Sequence, residues 1–86
     1  MITFEDASTL LGLAAARDQR TVGRADILAW HADLSAAGLT REDAETALTV
    51  FYQEMANRQP QDRFRATAVD LIDIAKRARR ERVANL

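Results

Sequence analysis

Apolar residues recur at helical spacing in four separate stretches of this chain, and short polar segments divide them. In the first stretch Phe4, Ala7, Leu11 and Ala15 form a stripe with the three-and-four spacing of one helix face. Thr3 precedes it as a cap, with Asp6 at the reciprocal capping position. Leu10 and Leu13 fall outside that stripe. This helix is therefore either covered on two sides or shows leucine to a partner. In the second stretch Ile27, Trp30, Leu34 and Ala37 share a face, while Ala25, Ala29, Ala32 and Ala36 form a low-relief ribbon suited to close helix packing. That combination reads as a helix central to the fold, starting after Thr21 and stopping at Gly38, the residue best fitted to a left-handed end.

Thr40 caps the third stretch, with Asp43 at the reciprocal position, and Ala44, Ala47, Leu48, Phe51 and Met55 make its stripe. A polar loop around Pro60 follows, with Phe64 expected to anchor it into the core. Thr67, with Asp70, caps the last stretch, in which Leu71, Ile74, Ala75 and Ala78 face inward. The reading is an all-α, four-helix domain with helices at about 4–18, 22–37, 41–57 and 68–84. The shared core is expected to hold Trp30, Leu34, Leu48, Phe51 and Ile74 together.

Composition fits that picture and narrows it. With 86 residues the chain makes one domain, residues 1–86. A domain of this size buries only about 60–65% of the surface its unfolded chain exposes, so a partner surface would help it. Three glycines and one proline leave little for hairpin turns. There is no cysteine, which removes disulfides and thiolate metal sites and points to a cytosolic, cytoplasmic home. The first residues lack the basic-then-apolar pattern of a secretory signal. No run of residues approaches the roughly 18 apolar positions of a membrane span.

Catalytic chemistry finds no foothold in these residues, and neither a catalytic, a cofactor nor a metal site is expected. The single histidine, His31, lies off the apolar stripe and has no companion ligands. Glu42, Asp43 and Glu45 fall on the outer face of the third helix, where solvated charge is their ordinary role. Gly12, Gly23 and Gly38 are too scattered for a phosphate-cradling loop. Trp30 belongs with Ile27 and Leu34 as a core anchor.

Charge is what breaks the uniformity of the chain. Residues 1–57 carry nine acids and four bases, whereas residues 58–86 carry four acids and eight bases. Lys76, Arg77, Arg79, Arg80 and Arg82 put five bases into seven residues. The dipole favours cations at a helix C-terminus, and Asp73 is spaced to pair with Arg77. Five bases exceed what a helix end requires, so this segment is a candidate for contact with nucleic acid or an acidic protein surface. A helix-turn-helix reading is also available, because Ala37-Gly38-Leu39-Thr40 is a short glycine-containing turn. Against it, the third helix would bring Glu42, Asp43, Glu45 and Glu54 towards phosphate, with Arg41 its only base before Arg58.

The order of features carries a further reading. An Ala- and Leu-rich first helix is followed by Arg20-Thr21-Val22, then Ala29-Trp30-His31 with Leu34. After these come an Ala-rich helix ending in Phe51-Tyr52, then Arg63-Phe64, then Ala75-Lys76-Arg77 and Arg79. Over roughly residues 4–82 this resembles the small phage proteins related to the loader and inhibitor of the DnaB-type replicative helicase, as found in phages and prophages of actinobacteria. The resemblance implies a helical domain that binds such a helicase, or another replication protein, and loads or restrains it. Where that family commonly has a proline at the start of its last helix, this chain has Ala68. The family engages the helicase through a more flexible C-terminal region, and little chain remains here for that task.

Two function classes therefore stand. One is a non-enzymatic helicase-binding adaptor. The other is a small DNA-binding or regulatory phage protein using its basic last helix; under the first, nucleic acid is touched only weakly and without sequence preference. The expected contact residues are Lys76, Arg77, Arg79, Arg80 and Arg82, together with Leu10 and Leu13 as an apolar patch for a partner or a homodimer.

Overall fold

Each helix begins where a short polar side chain can close its first turn. The computed structural model describes residues 1–84 and holds four α-helices with no strand among them: α1 (Phe4–Asp18), α2 (Arg24–Ala36), α3 (Arg41–Ala56) and α4 (Ala68–Ala84). A single 3-10 turn, Pro60–Asp62, sits in the linker before α4. Among the described residues no helix is long and apolar enough to cross a membrane.

At α1 the Asp6 amide donates to Thr3 Oγ1 at 3.0 Å and the Thr3 amide donates to Asp6 Oδ2 at 2.9 Å, so two orphan amides are satisfied reciprocally. Ile2, just before the cap, is buried in the same core as Ala7, the arrangement of a hydrophobic staple. Thr67 and Asp70 repeat the reciprocal pattern at α4, at 2.8 and 3.3 Å. At α3 only half of it forms: the Asp43 amide reaches Thr40 Oγ1 at 3.1 Å.

The second helix starts two residues later than the sequence pattern suggests. Asp26 Oδ2 accepts from the Gly23 amide at 2.9 Å, which fixes Gly23 rather than Thr21 as the cap. Val22 is left in the extended entry segment, packed against the core. The end of α2 is as the glycine implies. Gly38 adopts φ +71° and the Leu39 amide reaches back to Leu34 O at 3.2 Å. This 6→1 closure lets the chain reverse and buries Leu39 immediately afterwards.

The helices close a ring in which α1 packs on α2 and α3, and α4 packs on α3 and α2. The result is broad and thin, 41 × 35 × 15 Å. Trp30, Leu34, Leu48, Phe51 and Ile74 are all buried in one cluster, as the stripes require. All five stripe residues of α3 are buried. That helix, not α2, is the centre of the fold. On α2 only Trp30 and Leu34 are buried, while Ala25, Ala29, Ala32 and Ala36 all face outward. The alanine ribbon packs against nothing because α1 and α4 both approach α2 on its Trp30–Leu34 side.

Three more expectations are corrected by the packing. Leu10 is completely buried, because α1 is covered from two directions and two adjacent stripes are needed to fill the space. It is therefore no part of an exposed patch. Leu13 is 41% exposed but is surrounded by Arg17, Glu45, Thr46 and Thr49, which leaves it a lone surface leucine. Phe64 does not anchor the linker inside the core: it is half exposed, resting edge-on against buried Phe51 with ring centroids 5.6 Å apart. On α4 the inward stripe ends early, since Leu71 and Ile74 are buried and Ala78 is exposed. Beyond Ala75 every residue from Lys76 to Ala84 is exposed.

Candidate protein-binding site

The linker between α3 and α4 is held in place by a polar node that only the folded chain assembles. Asp18 ends α1, and its carboxylate accepts from Arg20 Nη2 at 2.5 Å, from Arg20 Nε at 3.0 Å and from the Tyr52 hydroxyl. Arg20 Nη2 also donates to Ala66 O at 2.7 Å, and the Ala66 amide donates to Tyr52 at 3.4 Å. One guanidinium thus ties the α1–α2 connection to the last residues before α4. The same group lies 5.5 Å from the Trp30 ring centroid.

Burial works to raise the Asp18 pKa. The hydrogen bonds from the Arg20 side chain, from Tyr52 and from the Arg20 amide, together with the Arg20 charge, outweigh it and hold the carboxyl below its ordinary value. Tyr52 moves the opposite way: burial and the bond to Asp18 raise its pKa. The Arg20 pKa is raised as well, chiefly by its hydrogen bonds to Asp18.

With the linker fixed, Phe64 and Arg58 come to stand opposite the first half of the exposed α4 segment. They bound a groove of about 300 Å³ whose floor is Phe51, Met55 and Ile74. Arg58, Lys76, Arg77 and Arg80 supply its positive rim, and the Arg58 guanidinium lies 5.3 Å from the Phe64 ring centroid. Glu54, Asp70 and Asp73 share that rim. Two of these acids are engaged, Asp70 in the α4 cap and Glu54 with Arg77 Nη2 at 3.1 Å. Arg77 therefore pairs across to α3, and the i,i+4 pair with Asp73 does not form.

The five bases expected to act together are divided by the helix. Lys76, Arg77 and Arg80 line the groove. Arg82 lies on the other side of α4, along a slot floored by Ala47, Val50 and Ala78 and edged by Asp43 and Glu81. Arg79 is exposed and lines neither. At about 100° per residue the five bases are spread over more than half of the helix circumference, so they do not all face the groove.

The contribution of the linker was missed by the sequence reading. Arg58, Arg63 and Arg65 flanking Phe64 within eight residues are a visible signal, basic residues interleaved with an aromatic. The helix-turn-helix alternative loses its one cation, because Arg41 is within 3.8 Å of Asp6 and 3.7 Å of Glu45. His31 is half-buried beside Phe4, ring centroids 6.4 Å apart. Among the described residues no group of three or more His, Cys, Asp or Glu side chains could hold a metal ion. Comparisons with protein-family models, with curated proteins and with solved structures return no match for this chain.

Proposed function

We propose that this protein is a non-enzymatic binding module that grips an acidic protein surface with the groove between α3 and α4. The carrying observation is the meeting of Arg58, Lys76, Arg77 and Arg80 over an apolar floor, beside a half-exposed phenylalanine. An apolar centre with a charged rim is the anatomy of a protein contact. Arginine and aromatic residues are the side chains that most often dominate binding there. The partner follows from the resemblance: a DnaB-type replicative helicase in the host cytoplasm, which the module helps load or restrain.

The second reading, a DNA contact through basic α4, is less well served by the same rim. Glu54, Asp70 and Asp73 stand between the bases. Phosphates spaced along a duplex would meet these carboxylates, and neutralising phosphate is the main source of such affinity.

Charge reversal tests the proposal. In the Lys76→Glu, Arg77→Glu, Arg80→Glu variant, association with the purified helicase should slow by about tenfold or more, with greater loss at low salt. Its melting temperature should change little, since all three side chains are exposed and the Arg77–Glu54 pair is a surface pair. Unchanged association kinetics in a folded variant would remove the groove from the interface.

A further inference from the structure

Beyond Phe64, where the groove ends, a second cavity of about 340 Å³ opens between the C-terminal ends of α1 and α3 and the linker. Phe64 and Met55 line both. Three arginines from separate places converge on this second cavity: Arg17 from α1, and Arg63 and Arg65 from the linker. None of the three is in an ion pair among the described residues. The one carboxylate in the lining, Asp18, is saturated by Arg20 and Tyr52.

Two of the arginines have local reasons for their positions. The Arg17 guanidinium rests 5.5 Å from the Tyr52 ring centroid in the last turn of α1. Arg63 donates to the carbonyls of Arg58 at 3.0 Å and Ala56 at 3.4 Å, at the end of α3. Helix ends attract cations in this way, but partial dipole charge does not neutralise a guanidinium. Arg65 makes neither contact. Three arginines thus line one hollow whose single carboxylate, Asp18, is already paired with Arg20, and a guanidinium fork matches a carboxylate in two parallel hydrogen bonds.

We infer that this cavity receives a carboxylate side chain from an acidic peptide segment of the partner, with an adjoining apolar residue resting on Met55 and Phe64. The inference rests on the groove being a protein-binding surface and specifies how that surface selects its partner. A peptide is favoured over a nucleic-acid strand by what lies along the route. A strand places charge at every nucleotide and would carry phosphate past Asp70, Asp73 and Glu54. A peptide can put carboxylates at the arginines and apolar or neutral residues beside the acids. The volume also suits one or two side chains.

The test is a titration of the isotope-labelled full chain with a blocked octapeptide of glutamate and leucine, followed by NMR. Controls are the same peptide with glutamine for glutamate and an oligothymidylate of equal charge. The glutamate peptide should shift the side-chain Nε–H signals of Arg17, Arg63 and Arg65 and the ring signals of Phe64, and the glutamine peptide should not. Arg17→Gln with Arg65→Gln, which removes two of the three cavity cations, should weaken that binding by about tenfold or more, while Arg79→Gln leaves it unchanged. Shifts confined to Lys76, Arg77 and Arg80 would overturn the cavity's role and leave the groove standing. Stronger shifts of the cavity arginines by oligothymidylate would overturn the choice of a peptide. Cavity shifts by the peptide, in a protein that binds no helicase, would support the cavity and remove only the named partner.

Discussion

Replacing Trp30 with alanine should leave the domain largely unfolded at room temperature. Trp30 is 7% exposed and belongs to the cluster that contains Leu34, Leu48, Phe51 and Ile74. Truncating so large a buried side chain costs about 3–5 kcal/mol, as transfer energy and as the cavity left behind. The Arg20 guanidinium over its ring loses its support as well. A domain holds only about 0.05–0.15 kcal/mol per residue of net stability, about 4–13 kcal/mol for 86 residues, and a domain this small, with so little surface buried, sits at the low end, where a loss of this size consumes nearly all of it. Thermal melting followed by helical circular dichroism checks it. A Trp30→Ala variant melting within a degree or two of the wild type would place Trp30 outside the core, because about 1 kcal/mol already moves the midpoint by about 4–8 °C in a domain of this size.

The second large effect is expected at the Asp18 node, and it depends on pH. The folded-state pKa of Asp18 lies below the ordinary value of 3.8. The stability it contributes is therefore fully present above that unfolded value, and is lost as pH falls through it towards the folded one. Tyr52, with its raised pKa, contributes stability below its ordinary value of 10.0 that is lost as pH rises through the folded one. Asp18→Asn should cost about 1.5–3 kcal/mol at neutral pH, the range for a hydrogen bond to a charged group. It should also flatten the stability profile below about pH 4, because the group that titrates there is gone. Urea midpoints measured from pH 2.5 to 7 for both proteins decide it. Parallel profiles, with the acid slope kept in Asp18→Asn, would show that this carboxylate is not what acid attacks.

What could be read from the sequence was what local periodicity and capping determine. The α3 stripe is clean because acids mark its outer face and the five apolar positions repeat without interruption, and all five are buried. Thr3, Thr40 and Thr67 locate three helix starts to the residue. The α2 start, read as following Thr21, slipped because the selecting bond is donated by the Gly23 amide to the Asp26 carboxylate, and glycine has no side chain to signal it. Leu10 does not belong to a partner patch because, of the two arrangements its off-stripe position left open, a helix covered on two sides and a leucine shown to a partner, the fold has the first. The site was legible only in its α4 half. Lys76, Arg77 and Arg80 announce themselves by density. Arg17, Arg58, Arg63 and Arg65 reach the same surface through the Asp18–Arg20–Tyr52–Ala66 bonds, which join residues up to 46 positions apart. Periodicity carries no information at that range. Arg82 shows the converse error, since nearness in sequence placed it in a patch that the helix rotates it out of.

The most direct measurement is equilibrium binding of the purified protein to purified DnaB-type helicase and, in parallel, to duplex DNA, each at low and at physiological salt. Helicase binding should appear at both, weakening as salt screens the arginine rim. Duplex DNA should be bound only weakly, without sequence preference. An absence of helicase binding, together with tight and sequence-selective binding of duplex DNA, would contradict the account and give the basic helix to nucleic acid.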